Sequence, residues 1–261
     1  MLKQTEGIAW SVADGIGRIT FCRSARANSI SSAAGRALVQ AIGEVLDARP
    51  RAVLLSGEGA IFCAGGDIDE FVQAGGELPA LVDQILAPLH PAIHRLATGP
   101  APVVAALNGP IGGAGVGLAL CADFVLAAQS VKLRTGYAAI GLSPDLGSSY
   151  FLARRVGALR AQQWFLLSEA VDAARCLQYG VVDALYPDSE LAGAAEALVQ
   201  RLTEGAPESM ANIKALCGQW HERTLEEQLA LEHQMLSACA RGANAREGVR
   251  AFQERRAPKF S

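Results

Sequence analysis

No CxxC pair occurs among the six cysteines of this 261-residue chain (positions 22, 63, 121, 176, 217 and 239). Most sit in apolar runs where a thiol packs as a small hydrophobe, which excludes a disulfide scaffold and implies a reduced, cytoplasmic protein. Histidine is scarce, with four in all. His90 and His94 are spaced for one helix face, but Pro91 stands between them and no nearby carboxylate completes a ligand set, so no metal is expected. Basic residues do not outnumber acidic ones, and the formal net charge is −3, which argues against a nucleic-acid groove or a polybasic membrane patch. The N-terminus "MLKQTEGIAW" has no long apolar run of the signal-peptide kind. Residues 96–122 are uncharged, yet Pro100, Pro102, Asn108, Pro110 and several glycines forbid one continuous helix, so a buried segment is expected and not a membrane span. "GGAGVG" is not a dinucleotide fingerprint, because Leu118 stands where the last glycine should fall, and neither a P-loop lysine nor a GxSxG elbow is present.

What is present is material for a large core: 51% of residues are hydrophobic and 19% charged. "IAWSVADGIGRITFCR" reads as two strands about Asp14-Gly15, and "NSISSAAGRALVQAIGEVLDARP" as a serine-capped amphipathic helix. "RAVLLSG", "APVVAALNG", "FVLAA" and "VKLRT" read as strands, with helices between and after them. A helix is expected from Pro79 to Ala97, disturbed at Pro88 and Pro91. Strand, helix, strand implies a parallel sheet with crossover helices, an α/β protein. From Asp188 onward every pattern is helical, so the expected division is an α/β core over 1–190 and a helical assembly region over 191–261.

Two stretches concentrate backbone freedom. "AIFCAGGDIDEF" (60–71) follows a strand with a glycine pair before Asp67, where a helix is expected to begin. "PIGGAGVGLALCADF" (110–124) places four glycines ahead of another short helix. Free N–H groups at helix starts carry the positive end of the helix dipole, and two such loops converging on one oxygen would make an oxyanion hole. Two tight turns with glycine for geometry alone is the alternative.

Together, "ARANSIS", "FCAGGDIDEF", "NGPIGGAGVGLALCADFVLA", "GLSPDLGSSYFLARRVG" and "REGVRAFQERRAPKF" resemble the crotonase superfamily of enoyl-CoA hydratases and isomerases over nearly the whole chain. The resemblance implies a repeated ββα spiral core with a C-terminal trimerisation region, and a homotrimer or dimer of trimers. It implies an acyl group carried as a coenzyme A thioester, with no permanently bound cofactor. The N–H groups of Gly66 and Ala114 would hold the thioester oxygen, with Ala64, Asp67, Ile68, Gly113 and Tyr137 around the substrate. Arg23 and Arg26 would meet CoA phosphates, and Phe252 and Arg255 would reach the adenine end of CoA in a neighbouring subunit. Cys63 is expected to be a packed, inert thiol.

The departures from that family narrow the chemistry. Its hydratases carry glutamates where this chain has Gly117 and Tyr137, so water addition lacks both usual carboxylates. Asp145, in "LSPDLGSS", matches the aspartate of isomerases of the phenylacetate-pathway type and is the expected base, unless it only caps the next helix. A lone carboxylate among apolar neighbours is raised in pKa and strengthened as a base. Alternatives are halobenzoyl-CoA dehalogenation, with Asp145 as nucleophile and His90 activating water, hydration by atypical residues, and a non-catalytic acyl-CoA-binding protein.

Overall fold

The computed structural model describes residues 1–261. A seven-stranded sheet runs in the order β1-β2-β3-β4-β5-β7-β10, with β1 at Lys3–Thr5, β2 at Ile8–Ala13, β3 at Ile16–Phe21, β4 at Ala52–Gly57, β5 at Val103–Leu107, β7 at Phe124–Ala128 and β10 at Ala184–Tyr186. The first three strands pair antiparallel and the rest parallel. "VVAAL" of β5 is buried at every position, as expected of a parallel strand covered on both faces. A smaller sheet, β6-β8-β9, is made of Ile111–Gly112, Lys132–Arg134 and Val171–Asp172.

Helices α1 (Ser32–Asp47), α2 (Ile68–Ala74), α3 (Leu78–Thr98), α4 (Ala114–Leu120), α5 (Ser148–Val156), α6 (Ala158–Leu167) and α7 (Ala173–Gln178) link and cover the strands. The chain advances by a repeated move: a strand of the large sheet, a short pairing in the second layer, then a helix. Thus β4 leads to Cys63, which bridges Ile111, and on to α2; β5 leads through β6 to α4; β7 leads through β8 towards α5. The repeat is structural, since no sequence repeat accompanies it.

Two expectations need correction. Helix α3 runs unbroken through Pro88 and Pro91. Its stripe of Ile85, Leu89, Ala92, Ile93 and Leu96 is buried, while Gln84 and Ala87, whose carbonyls lose their partners to the prolines, are exposed to water. His90 and His94 therefore do share one continuous helix, and both are exposed. The expected boundary at 190/191 falls within the packed core, because α8 (Leu191–Thr203) buries Leu191, Ala195, Val199 and Leu202 and lies against β4, β5 and β7.

The segment that stands off the core comprises α9 (Pro207–Gly218), α10 (Leu225–Arg241) and α11 (Ala243–Gln253). In α9 and α10 no residue is buried, and in α11 only Ala251 is. Lys214 fastens α9 to the core: its Nζ pairs with Asp123 at 2.8 Å and donates to the Ala101 carbonyl at 2.9 Å. No helix is long and apolar enough to cross a membrane.

Candidate active site

The two glycine-rich stretches run side by side. Gly112 N donates to Cys63 O at 2.9 Å and Phe62 N to Pro110 O at 3.1 Å, so the first loop lies along the entry to β6. Contact is close enough to dictate glycine. A Cβ at Gly65, whose φ is +101°, would stand 2.9 Å from Gly112 O and 3.1 Å from Ala114 N. One at Gly115 would stand 2.3 Å from Cys63 O. The reading of glycine for turn geometry alone therefore falls: these glycines let one loop lie on the other. Beside them Gly66 and Ala114, the latter opening α4, have N–H groups that donate to no backbone or side-chain acceptor of the chain.

Both residues line a cavity of about 310 Å³ whose wall also contains Ala64, Ile68, Gly113, Tyr137 and Asp145. The rest of the wall is largely aliphatic. Val82, Ile85, Leu86 and Leu89 of α3 line one side, and Ile140, Leu142, Pro144 and Leu146 another, while Phe71 packs beneath Gly66. Asp145 is the sole carboxylate in this wall.

Asp145 does not cap α5, which starts from Gly147; only its main-chain carbonyl is engaged there, by Ser148 N at 2.8 Å and Ser148 Oγ at 2.7 Å. Its carboxylate accepts a hydrogen bond of 2.5 Å from the Tyr137 hydroxyl, and Ser148 Oγ lies 3.1 Å from that phenol oxygen. Burial pushes the Asp145 carboxyl above its ordinary value, against the opposing pull of the Tyr137 hydrogen bond and of His90. Burial and the Asp145 charge together push the Tyr137 phenol well up, so it stays a donor. The sequence did not reveal this Tyr-Asp-Ser set, since nothing in the spacing of residues 137, 145 and 148 distinguishes a bonded trio from a loop passing by.

The segment also carries strain. Leu146, buried, sits at φ +46°, a left-handed conformation costing about 1–2 kcal/mol for a residue other than glycine. Its carbonyl explains Gly117: a Cβ there would lie 2.4 Å from Leu146 O, so the position that could have held a glutamate is occupied by the Asp145 loop.

Other expected residues lie elsewhere. Asp67 is buried and accepts from Arg23 and Ser29, each at 3.2 Å; against the penalty of burial, the Glu70 N–H, Ser29 and Arg23 hold its carboxyl low. Arg23 also donates to Ser29 O and Ser31 Oγ, so its guanidinium braces the start of α1. Arg26 pairs with the exposed Asp69. His90 lines a neighbouring, larger cavity of about 620 Å³. Phe252, 87% exposed, and Arg255 stand on the far helical segment and outside the cavity of their own chain. Cys63 is fully buried, its thiol pushed up to about 12 by desolvation, and so inert.

Comparison with known proteins agrees with this geometry. The model of the enoyl-CoA hydratase/isomerase family matches residues 11–261. The chain is 34% identical over 258 residues to a 1,2-epoxyphenylacetyl-CoA isomerase of Escherichia coli, covering 98% of each protein. It is 33% identical over 254 residues to a probable enoyl-CoA hydratase of Rhodobacter capsulatus, covering 97% of each. A crystal structure of an enoyl-CoA hydratase from Polaromonas sp. JS666 superposes with a TM-score of 0.91 at 30% identity, covering 97% of this chain and 99% of that one.

Proposed function

This chain belongs to the enoyl-CoA hydratase/isomerase family of the crotonase superfamily and is an acyl-CoA enzyme, and from that premise we propose that it moves a double bond within an enoyl-CoA, with Asp145 as the single base. The observation that carries this reading is that one carboxylate shares a cavity with two unengaged N–H donors. The Asp145 carboxylate takes a proton from the carbon between the thioester carbonyl and the double bond of a 3-enoyl-CoA. The C–H electron pair flows into the conjugated system, and the oxygen of the resulting dienolate is held by Gly66 and Ala114. Asp145, now a carboxylic acid, returns the proton two carbons further along and leaves the 2-enoyl isomer. One group suffices because the proton is returned and no water enters the balance. Hydration would need a second acid-base group, and the wall offers none at 117, where Leu146 O fills the space.

A neighbouring copy of the chain completes the site in this reading. Support comes from the segment after α8, where Trp220, Leu225, Leu229, Leu236, Val249 and Phe252 are all more than half exposed, an apolar surface its own core does not cover. The expected state is three or six copies by sedimentation.

The test is an assay panel of 3-enoyl-, 2-enoyl- and 4-halobenzoyl-CoA with the native enzyme and Asp145→Asn. Turnover of the 3-enoyl substrate that falls at least about a hundredfold in the variant is expected. Undiminished turnover would remove Asp145 from the mechanism, and CoA binding with no turnover of any substrate would favour a binding protein.

A further inference from the structure

The acyl chamber and the larger cavity beside it have one residue in common, Leu146. On α3 the division falls between Leu89, which faces the chamber, and His90, which faces the larger cavity; on the facing loop it falls at Leu146, with Asp145 on one side and Gly147 on the other. The two spaces differ in chemistry. The chamber is apolar apart from its catalytic groups, Thr135 and Ser143, and the hydroxyl of Thr135 is already given to Trp164 O. The larger cavity is lined by His94, Tyr150, Arg154, Lys214 and Glu222 among others.

We propose that Leu146 is the end wall of the acyl chamber and sets the longest acyl chain the enzyme accepts. The proposal rests on the acyl-CoA reading of the chamber. The side chain is 1% exposed, and the backbone holding it is in a left-handed conformation, pinned where its carbonyl meets Gly117. A wall so fixed does not swing aside for a longer substrate. At about 310 Å³ the chamber stands at the small end of ligand pockets, room for a medium-length apolar acyl group and not for a long one. Each further methylene buried within it raises kcat/KM about fourfold, and a chain longer than the chamber gains nothing more.

In wild-type enzyme, kcat/KM for a series of 3-enoyl-CoAs is expected to rise with chain length through the medium-length acyl groups and to level or fall before sixteen carbons. Leu146→Ala joins the two spaces, so the ratio of kcat/KM for a sixteen-carbon to an eight-carbon substrate is expected to rise at least about tenfold. This ratio does not depend on the fraction of enzyme folded. Ala215→Trp fills the larger cavity from α9; alone it leaves the ratio within about twofold, and in the Leu146→Ala background it cancels the gain. Independently of any variant, a ten-carbon acyl-CoA with a terminal diazirine is expected to label the 145–147 segment of the wild-type protein. A rise in kcat/KM through sixteen carbons in wild type, an unchanged ratio in folded Leu146→Ala, or label found on α9 would each overturn the proposal. Absence of turnover with every enoyl-CoA would instead sink the isomerase reading, and the labelling result still reports on the wall.

Discussion

On one side of the acyl chamber Gly66 and Ala114 present main-chain donors, held where two loops touch backbone to backbone through Gly65, Gly112 and Gly115. On the other, a carboxylate oxygen of Asp145 is positioned by side chains, the Tyr137 hydroxyl and the Ser148 hydroxyl next to it. The first half is set by sterics, where a displacement of a few tenths of an ångström is a clash, and substitutions there act as all or none. The second is set by hydrogen bonding and burial, which shift by degrees, so its variants should grade activity and move its pH dependence without abolishing the fold.

The largest effect is therefore expected on the backbone side. Ala114→Pro removes one donor and places a ring carbon where the N–H pointed, while proline at the first position of a helix suits α4. A loss of about a thousandfold in kcat is expected, at the upper end for one oxyanion donor. Circular dichroism and CoA binding should remain close to wild type. Full activity in the folded variant would remove Ala114 from the site and with it half of the contrast.

Asp145→Asn comes next, and it separates chemistry from stability. Burial raises the Asp145 pKa in the folded protein, so the native state binds this proton more tightly than the unfolded chain does. Its contribution to stability is present below the ordinary carboxylate range and is lost as pH rises through the raised folded value. At neutral pH the ionised group thus costs stability, and an asparagine that can still accept from Tyr137 does not. The variant is expected to keep or raise Tm at neutral pH while losing at least about a hundredfold in rate. A clear fall in Tm would mean that the carboxylate is better stabilised where it sits than its burial implies.

The same contrast explains what could be read from residues alone. Strands such as "AVLLSG" and "VVAAL", the serine-capped α1 and the donor loops are local patterns, since glycine, caps and apolar runs write backbone geometry directly into sequence. Asp145 was legible through resemblance, but its hydrogen bond to Tyr137, the role of Leu146 in two cavity walls, and the Lys214 fastening of α9 were not. These join residues whose separation carries no period, and they exist only once tertiary packing has brought them together. Pro88 and Pro91 misled for the same reason: tertiary burial of one face of α3 outweighs two lost main-chain hydrogen bonds whose orphaned carbonyls face water.

A smaller effect is expected at Tyr137. Its hydroxyl favours the ionised form of Asp145, so Tyr137→Phe should push the carboxyl further up. The base then needs a higher pH to be ionised, and the acid limb of kcat/KM moves to higher pH, with a loss of about tenfold on that limb and little at the alkaline plateau. A uniform loss at every pH would instead show that Tyr137 acts only by holding Asp145 in place.

The smallest effect is expected from His90→Ala, and it decides between two uses of Asp145. His90 lies on the water-exposed side of α3 in the wall of the larger cavity, and its influence on Asp145 is electrostatic, a weaker downward pull than that of Tyr137. If Asp145 is a base, loss of His90 should change isomerisation by less than about twofold and move the acid limb upward by less than Tyr137→Phe does. If Asp145 is instead a nucleophile towards a haloaryl thioester, its oxygen bonds to the ring carbon as halide leaves, and hydrolysis of that ester needs a group to activate water. His90 is the candidate, so the variant would stall with the aryl group bound. Intact-protein mass spectrometry of His90→Ala after incubation with 4-halobenzoyl-CoA is expected to show unmodified protein. An added aroyl-CoA mass located at Asp145 would replace proton transfer with halide displacement as the chemistry of this carboxylate, and would require His90 to reach past Leu146 into the acyl chamber.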